Sequence, residues 1–156
     1  EEAIILAKRM YEKSIASKNS MMASRDGISR KESNTTLELA KLLAEEMGKP
    51  YKWGGTGPNG YDCSGLVYSI FGKLGISLPR TAREQASMGT YVSKDELQYG
   101  DLVLFARDGK NIHHVGIYVG DGVMVHSPQT GDVVRKTTIM SGYYERCYYT
   151  ARRIIE

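Results

Sequence analysis

The chain has 156 residues, a formal net charge of +3 and 41% hydrophobic residues. This length suits one compact domain with a genuine core, with or without an appendage, and the composition is that of a globular protein. So small a net charge, without a block of like charges, argues against nucleic acid as a partner. No apolar run in the sequence is long enough to span a membrane.

The first 34 residues differ in character from the rest. Residues 3–17 carry a helix-like apolar stripe, whereas residues 17–34 are polar and show little periodicity. We interpret residues 1–34 as a helical arm or linker, either left from an upstream domain or packed on the main one. Residues 35–156 form the main domain in this interpretation.

Two helices are predicted in the first half of the main domain. The first begins at Thr35, which has capping-box spacing to Glu38, and ends at Gly48. A glycine-rich loop follows over residues 53–60. The second helix covers residues 63–74, with Asp62 placed to cap its first turn.

The second half of the chain predicts a sheet. A short helix begins at the capping box of Thr81 and Glu84, and the pattern then changes to strands beyond Gly100. The predicted strands cover residues 101–106, 112–119, 123–127, 132–138 and 146–155. Helices followed by strands indicate an α+β fold in which helices pack on a mostly antiparallel sheet. The tyrosines near the C-terminus are interpreted as strand formers that help cover the sheet.

Cys63 is the candidate nucleophile. It stands at the start of a predicted helix beside small residues, and a helix N-terminus favours a thiolate. All three histidines lie downstream between His113 and His126, where an imidazole could take the thiol proton. An inert buried cysteine, or a disulfide to Cys147, remains the structural alternative.

The strand pattern selects His114 over His113 as the base. Val115 and its alternate neighbours form the core face, so His114 projects to the opposite face. A three-residue loop closed by a left-handed Gly122 after a type I turn would pair Gly116 with His126. His114 and His126 would then be diagonal neighbours on one face. A two-residue turn would place them on opposite faces.

Zinc is the main chemical competitor, since two cysteines and two histidines could supply four ligands. No Cys-x-x-Cys or His-x-x-x-His pair is present, so the pattern favours a site without metal or other cofactor. The four candidate ligands are Cys63, His114, His126 and Cys147.

Five motifs occur in order and resemble one family. They are Tyr51-Lys52-Trp53-Gly54-Gly55, Asp62-Cys63-Ser64-Gly65-Leu66-Val67, Leu78-Pro79-Arg80-Thr81, Gly100-Asp101-Leu102-Val103 and His114-Val115-Gly116-Ile117-Tyr118-Val119-Gly120. Over about residues 35–155 the chain is similar to NlpC/P60 domains, which are papain-like cysteine peptidases of bacterial cell walls. The resemblance implies a papain-like fold and a secreted or wall-located monomer that acts on peptidoglycan stem peptides.

The same resemblance implies roles for individual residues. Cys63 matches the nucleophile, His114 the base and His126 the third, polar member. Residues implied in substrate binding are Tyr51, Trp53, Asp62 and Ser64. Some relatives carry a serine that grips a free L-alanine amine where this chain has Ala82, so a strict need for trimmed stem peptides is not implied.

The implied reaction is hydrolysis of the bond from γ-D-glutamate to the diamino acid of the stem peptide. His114 would hold Cys63 as a thiolate, and backbone N–H groups at the helix start would receive the oxyanion. Two alternatives remain open. One is a CHAP-type amidase or acyltransferase with the same cysteine and histidine, and the other is a non-catalytic module that binds the cell wall.

Overall fold

The computed structural model describes residues 26–155, and the side chains of residues 34–155. The predicted helix over residues 3–17 therefore lies outside the described residues. Helix α1 spans Asp26–Glu46, so the prediction that it begins at Thr35 is wrong. Residues 26–34 contain no proline, so the helix can continue on the N-terminal side of Thr35 despite the capping pattern there. The domain boundary at residue 34 stays a prediction.

Helix α2 spans Cys63–Lys73 and is capped as predicted. The Asp62 carboxylate accepts a hydrogen bond from the Gly65 N–H at 2.6 Å, which satisfies one free donor of the first turn. Helix α3 spans Ala82–Gln85, and the Thr81 hydroxyl accepts the Glu84 N–H at 3.2 Å. The predicted N-terminal caps of α2 and α3 are confirmed, in contrast to that of α1.

Within residues 26–155, six strands form one antiparallel sheet in the order β1-β6-β2-β3-β4-β5. The strands are β1 (Thr90–Tyr91), β2 (Leu102–Phe105), β3 (His114–Tyr118), β4 (Val123–His126), β5 (Arg135–Thr138) and β6 (Tyr148–Arg153). A single 3-10 turn, Lys94–Glu96, precedes β2. The predicted α+β class with an antiparallel sheet is confirmed, and β1 is an additional edge strand.

The β3–β4 hairpin has the predicted register. Ile117 pairs with Val125, and the Val119 N–H donates to the Val123 carbonyl at 2.9 Å, which leaves a three-residue loop. The predicted type I turn is wrong, because φ is 91° at Gly120, 54° at Asp121 and 73° at Gly122. Two glycines and an aspartate tolerate left-handed backbone, so the loop keeps its length with another geometry.

The segment Gly142–Cys147 forms helix α4, although the sequence favours strand there. Tyr143 and Tyr144 are therefore helical and do not extend β6, which begins at Tyr148. The Tyr144 ring packs on Phe105 with centroids 5.1 Å apart. Packing against the sheet thus overrides the strand preference of aromatic residues.

Both faces of the sheet are covered. One face packs against α1 and α2 through an apolar cluster that includes Leu39, Leu43, Leu66, Ile70, Leu104 and Ile117. The other carries a smaller cluster of Val92, Val103, Phe105, Met124, Ile139, Cys147 and Ala151. This arrangement holds the start of α2 against β3 and brings distant parts of the chain together.

Candidate active site

The start of α2 is held against the glycine-rich loop. The Asp62 N–H donates to the Gly55 carbonyl at 3.1 Å, and that carbonyl also lies against Gly65 in the first turn of α2. A Cβ on Gly65 would overlap the Gly55 oxygen, so only glycine fits. This close approach fixes the position of Cys63, which is partly buried and free of any disulfide.

The two histidines selected from the sequence are in contact. His114 Nε2 lies 2.7 Å from His126 Nδ1 in a buried hydrogen bond. His126 Nε2 in turn lies 2.8 Å from the Thr137 hydroxyl on β5. Gly116 makes the contact possible, since a Cβ there would lie 2.5 Å from Met124 Sδ and 3.3 Å from His126 Cβ.

The thiol and both imidazoles line one cleft of about 630 Å³. Its walls come from segments that are far apart in the sequence. The lining residues are Tyr51, Cys63, Arg107, His113, His114, His126, Pro128, Gln129, Asp132, Arg135, Thr137, Tyr143 and Tyr144. An open cleft of this size with convergent polar groups is typical of a binding site for a small or extended substrate.

Tyr144 is a site residue that sequence reasoning missed. Its ring lies 5.5 Å from the ring of His114 and 5.0 Å from that of His126, centroid to centroid. Within the described part of the chain, His113 makes no hydrogen bond to either ring of the pair: its ring centroid is 6.4 Å from that of His114, and its Nε2 is 3.1 Å from the Tyr143 hydroxyl. Nothing in the sequence marks Tyr144, because its role depends on the unpredicted helix α4.

The ionisable groups at the site favour their neutral forms. Burial raises the pKa of the Cys63 thiol, and the charge of Asp62 adds to this. The backbone N–H groups of Val115, Ser64 and Cys63 oppose the shift. Burial also lowers the pKa of His114 well below its usual value and that of His126 to about 4. Both directions favour a neutral thiol and a neutral imidazole, whereas the sequence predicts a thiolate at Cys63.

Asp62 and Ser64 belong to an ion-pair network beside the cleft. Arg80 donates to both oxygens of the Asp62 carboxylate, at 3.1 and 2.7 Å, and to the Ser64 hydroxyl at 2.9 Å. The Gly65 N–H also binds this carboxylate, whose negative charge is paired with Arg80. Arg80 is a second residue whose role the sequence did not reveal.

The residues expected to bind substrate are not all in one place. Tyr51 lines the cleft, whereas Trp53, Asp62 and Ser64 are not among its lining residues. Trp53 is 87% exposed on the glycine-rich loop. Their part in binding substrate stays a prediction.

The alternative zinc site does not assemble in the described part of the chain. No group of three or more His, Cys, Asp or Glu side chains there is placed to hold a metal ion. Cys147 lies in the smaller apolar cluster and, like Cys63, is a free thiol. Within residues 26–155, no helix is both long enough and apolar enough to cross a membrane.

The cysteine at a helix start and the histidine pair on a hairpin agree with a family-model match. The NlpC/P60 family model matches residues 48–153. The chain belongs to the NlpC/P60 family. The predictions of this family and of its fold are thereby confirmed, while the roles of single residues are not tested by the match.

Relatives of this NlpC/P60 domain carry names of peptidoglycan peptidases. The γ-D-glutamyl-L-lysine dipeptidyl-peptidase of Bacillus subtilis (strain 168) is 45% identical over 121 residues, covering 76% of this chain and 41% of the relative. Murein DD-endopeptidase MepH of Escherichia coli (strain K12) is 41% identical over 126 residues, covering 78% and 46%. The chain thus spans less than half the length of either relative.

A solved structure supports the NlpC/P60 fold. The crystal structure of an NlpC/P60 family protein from Bacillus cereus ATCC 10987 matches with a TM-score of 0.75 at 39% sequence identity. The match covers 78% of this chain and 40% of that one.

Proposed function

We propose that this domain is a peptidoglycan hydrolase that cuts stem peptides by nucleophilic attack of Cys63. The observation that carries the proposal is the placement of Cys63 in the same cleft as the His114–His126 hydrogen bond. A nucleophile, a base and a group that orients the base are the minimum set for this chemistry. The enzyme acts as a monomer in the cell wall or outside the bacterial cell, where its substrate lies.

Catalysis begins from the neutral pair. Nε2 of His114 is bound to His126, so Nδ1 is the ring nitrogen that takes the Cys63 proton. The proton moves as the sulfur attacks the amide carbonyl, and a tetrahedral intermediate forms. The first N–H groups of α2 stabilise its oxyanion, because they have no partner within the helix.

Collapse of the intermediate breaks the C–N bond. His114 gives its proton to the leaving amine, which departs as the new N-terminus and leaves a thioester on Cys63. Water then attacks the thioester, with His114 again accepting a proton, and the carboxylic acid is released. His126 is neutral and hydrogen-bonded to His114, so it orients the base without adding a charge.

The bond from γ-D-glutamate to the diamino acid is the proposed target. Support comes from the Bacillus subtilis relative, which is named for a γ-D-glutamyl-L-lysine bond. A second candidate is the D,D cross-link between two stem peptides, since the Escherichia coli relative is named a DD-endopeptidase. The two reactions release different amines and are separable by product analysis.

Digestion of purified muropeptides followed by mass spectrometry tests the proposal. Monomers and cross-linked dimers, containing either meso-diaminopimelate or lysine, are incubated with wild type, Cys63→Ala and Cys147→Ala. We expect a new amine on the diamino acid of monomers with wild type and Cys147→Ala, and none with Cys63→Ala. Cleavage of dimers alone selects the D,D bond, and release of an intact stem peptide selects an amidase. Equal hydrolysis by Cys63→Ala contradicts the proposal.

A further inference from the structure

We propose that Thr137 is a positioning residue that sets the direction of the hydrogen bonds reaching His114. The inference rests on the proposed role of Cys63 and His114, and it adds a fourth member to their arrangement. Thr137 lies on β5, lines the cleft and is 2.8 Å from His126 Nε2 through its hydroxyl. No motif in the sequence singles it out.

Thr137, His126 and His114 lie side by side on neighbouring strands. Antiparallel pairing places Met124 opposite Thr137 and His126 opposite Arg135, so Thr137 is a diagonal neighbour of His126 on the same face. His126 is 1% exposed and His114 is 4% exposed, so water does not readily replace a lost partner at either ring. Each ring nitrogen of His126 is therefore committed, Nδ1 to His114 and Nε2 to Thr137.

The hydrogen bonds that join Thr137, His126 and His114 can run in either direction. Only one of the two directions leaves His114 able to act as a base. A neutral imidazole carries one N–H. When Thr137 accepts from His126 Nε2, His126 Nδ1 must accept from His114 Nε2, and His114 Nδ1 is left with a lone pair for the thiol proton. When Thr137 donates instead, His126 Nδ1 donates to His114 Nε2, and the His114 proton lies on Nδ1. His114 then cannot act as the base.

The hydroxyl favours the active direction because of where it lies. Thr137 borders the open cleft, where its own proton can be donated to water. Its lone pair is then available to the buried N–H of His126, which has no other acceptor as close among the described residues. The same polarised hydrogen bonds stabilise the imidazolium that forms on His114 during attack.

Other charged and titratable groups around the pair remain unchanged when Thr137 is replaced. Arg135 on β5 and Asp132 before it act on His126 in opposite senses. The rings next to His114 are those of His126, Tyr144 on α4, His113 and Phe105, and the Cys63 thiol lines the same cleft. Thr137→Val keeps the branched shape and removes only the hydroxyl, so a change in the pair can be assigned to that group.

The direct test reads the histidine tautomers by NMR of protein labelled with ¹⁵N-histidine. Only three histidines contribute to the spectrum. We expect wild-type His114 and His126 to carry their protons on Nε2, and Thr137→Val to move the His126 proton toward Nδ1. Thr137→Ser should restore the wild-type pattern. This measurement needs no substrate, so it stands or falls separately from the proposed reaction.

Activity gives the second readout. Loss of one neutral hydrogen bond predicts that kcat of Thr137→Val falls about threefold to tenfold with KM nearly unchanged. The acid limb of kcat/KM should move to lower pH, because His114 loses support for its protonated form. Thr150→Val on β6, outside the cleft lining, is the control for replacing a strand threonine.

Three results overturn the inference. One is a wild-type protein with its His114 proton on Nδ1. Another is a folded Thr137→Val variant, verified by its melting curve, with wild-type tautomers and an unchanged acid limb. The third is Thr137→Ser behaving like Thr137→Val, since the loss would then come from the altered strand and not from the hydroxyl.

Discussion

Opposing influences act on the thiol of Cys63. Burial and the Asp62 charge raise its pKa, while three backbone N–H groups, including that of Val115, favour the thiolate. Burial is the largest influence on Cys63, and burial also lowers the pKa of His114, so both shifts oppose a thiolate–imidazolium pair. We therefore propose general-base transfer during attack, and not a preformed ion pair.

Alkylation of Cys63 tests this protonation state. Because the thiolate is the reacting form and burial raises the thiol pKa, the iodoacetamide rate at Cys63 in the free protein should rise with pH to a midpoint above that of an ordinary cysteine. Peptide mass spectrometry follows Cys63 and the buried Cys147 in one sample. A midpoint below neutral pH would show that a thiolate–imidazolium pair exists before substrate binds.

Some residues of the candidate site can be predicted from the sequence, and others cannot. Cys63 and His114 stand out through the rarity of cysteine and histidine, the capped helix start and the strand alternation. Arg80 forms an ion pair with Asp62, which is 18 residues away in the sequence. Local sequence periodicity does not predict such a contact. Thr137 and Tyr144 become visible only when β5 and α4 are in place.

At the scale of elements, the contact between α2 and the glycine-rich loop positions the thiol. The Gly55 carbonyl accepts from Asp62 N–H and leaves no space beside Gly65 for a side chain. Gly72 lies near the other end of the same helix, and a Cβ added there would meet no atom within 4 Å. The two glycines of α2 should therefore respond to substitution in opposite ways.

Urea unfolding of Gly65→Ala and Gly72→Ala measures this difference. Overlap with Gly55 should lower the free energy of unfolding of Gly65→Ala by about 1–3 kcal/mol. Gly72→Ala should raise it by about 1 kcal/mol, since alanine is the better helix former and meets no neighbour. A gain in stability for both variants would mean that the close approach at Gly65 does not constrain the helix.

The elements themselves are predictable where local pattern and packing agree. Alternation along β3 and the loop Gly120–Gly122 indicate the hairpin register, although the loop conformation differs. Helix α4 escapes prediction because its tyrosines favour strands and only packing on Phe105 makes them helical. The predicted start of α1 is too late because Thr35 offers a cap that a longer helix does not use.

At the scale of the whole molecule, burial of the histidine pair links the site to stability. The pKa of His126 is about 4 in the folded protein, against 6.5 for an exposed histidine. Between these values the unfolded chain binds the proton and the folded chain does not. The contribution of His126 to the free energy of unfolding is therefore fully present above pH 6.5 and is lost as the pH drops toward 4.

Denaturant unfolding at several pH values checks this linkage. Protonation of His126 alone should lower the free energy of unfolding by about 3 kcal/mol as the pH falls from above 6.5 to below 4. His126→Gln keeps a polar side chain but cannot titrate, so its stability should change less over the same interval. An equal loss in wild type and His126→Gln would show that other groups cause the acid sensitivity.

The measurement that tests the central claim most directly compares the adjacent histidines in turnover of a muropeptide monomer. His114 contacts His126 within the buried pair, whereas His113 contacts Tyr143 at the rim. The account predicts that His114→Gln lowers kcat at least about a hundredfold, as expected for loss of a general base. His113→Gln should retain kcat within about threefold, because loss of one partly exposed hydrogen bond changes the free energy only slightly. Equal losses in the two variants, or a larger loss in His113→Gln, would contradict the assignment of His114 as the base for Cys63.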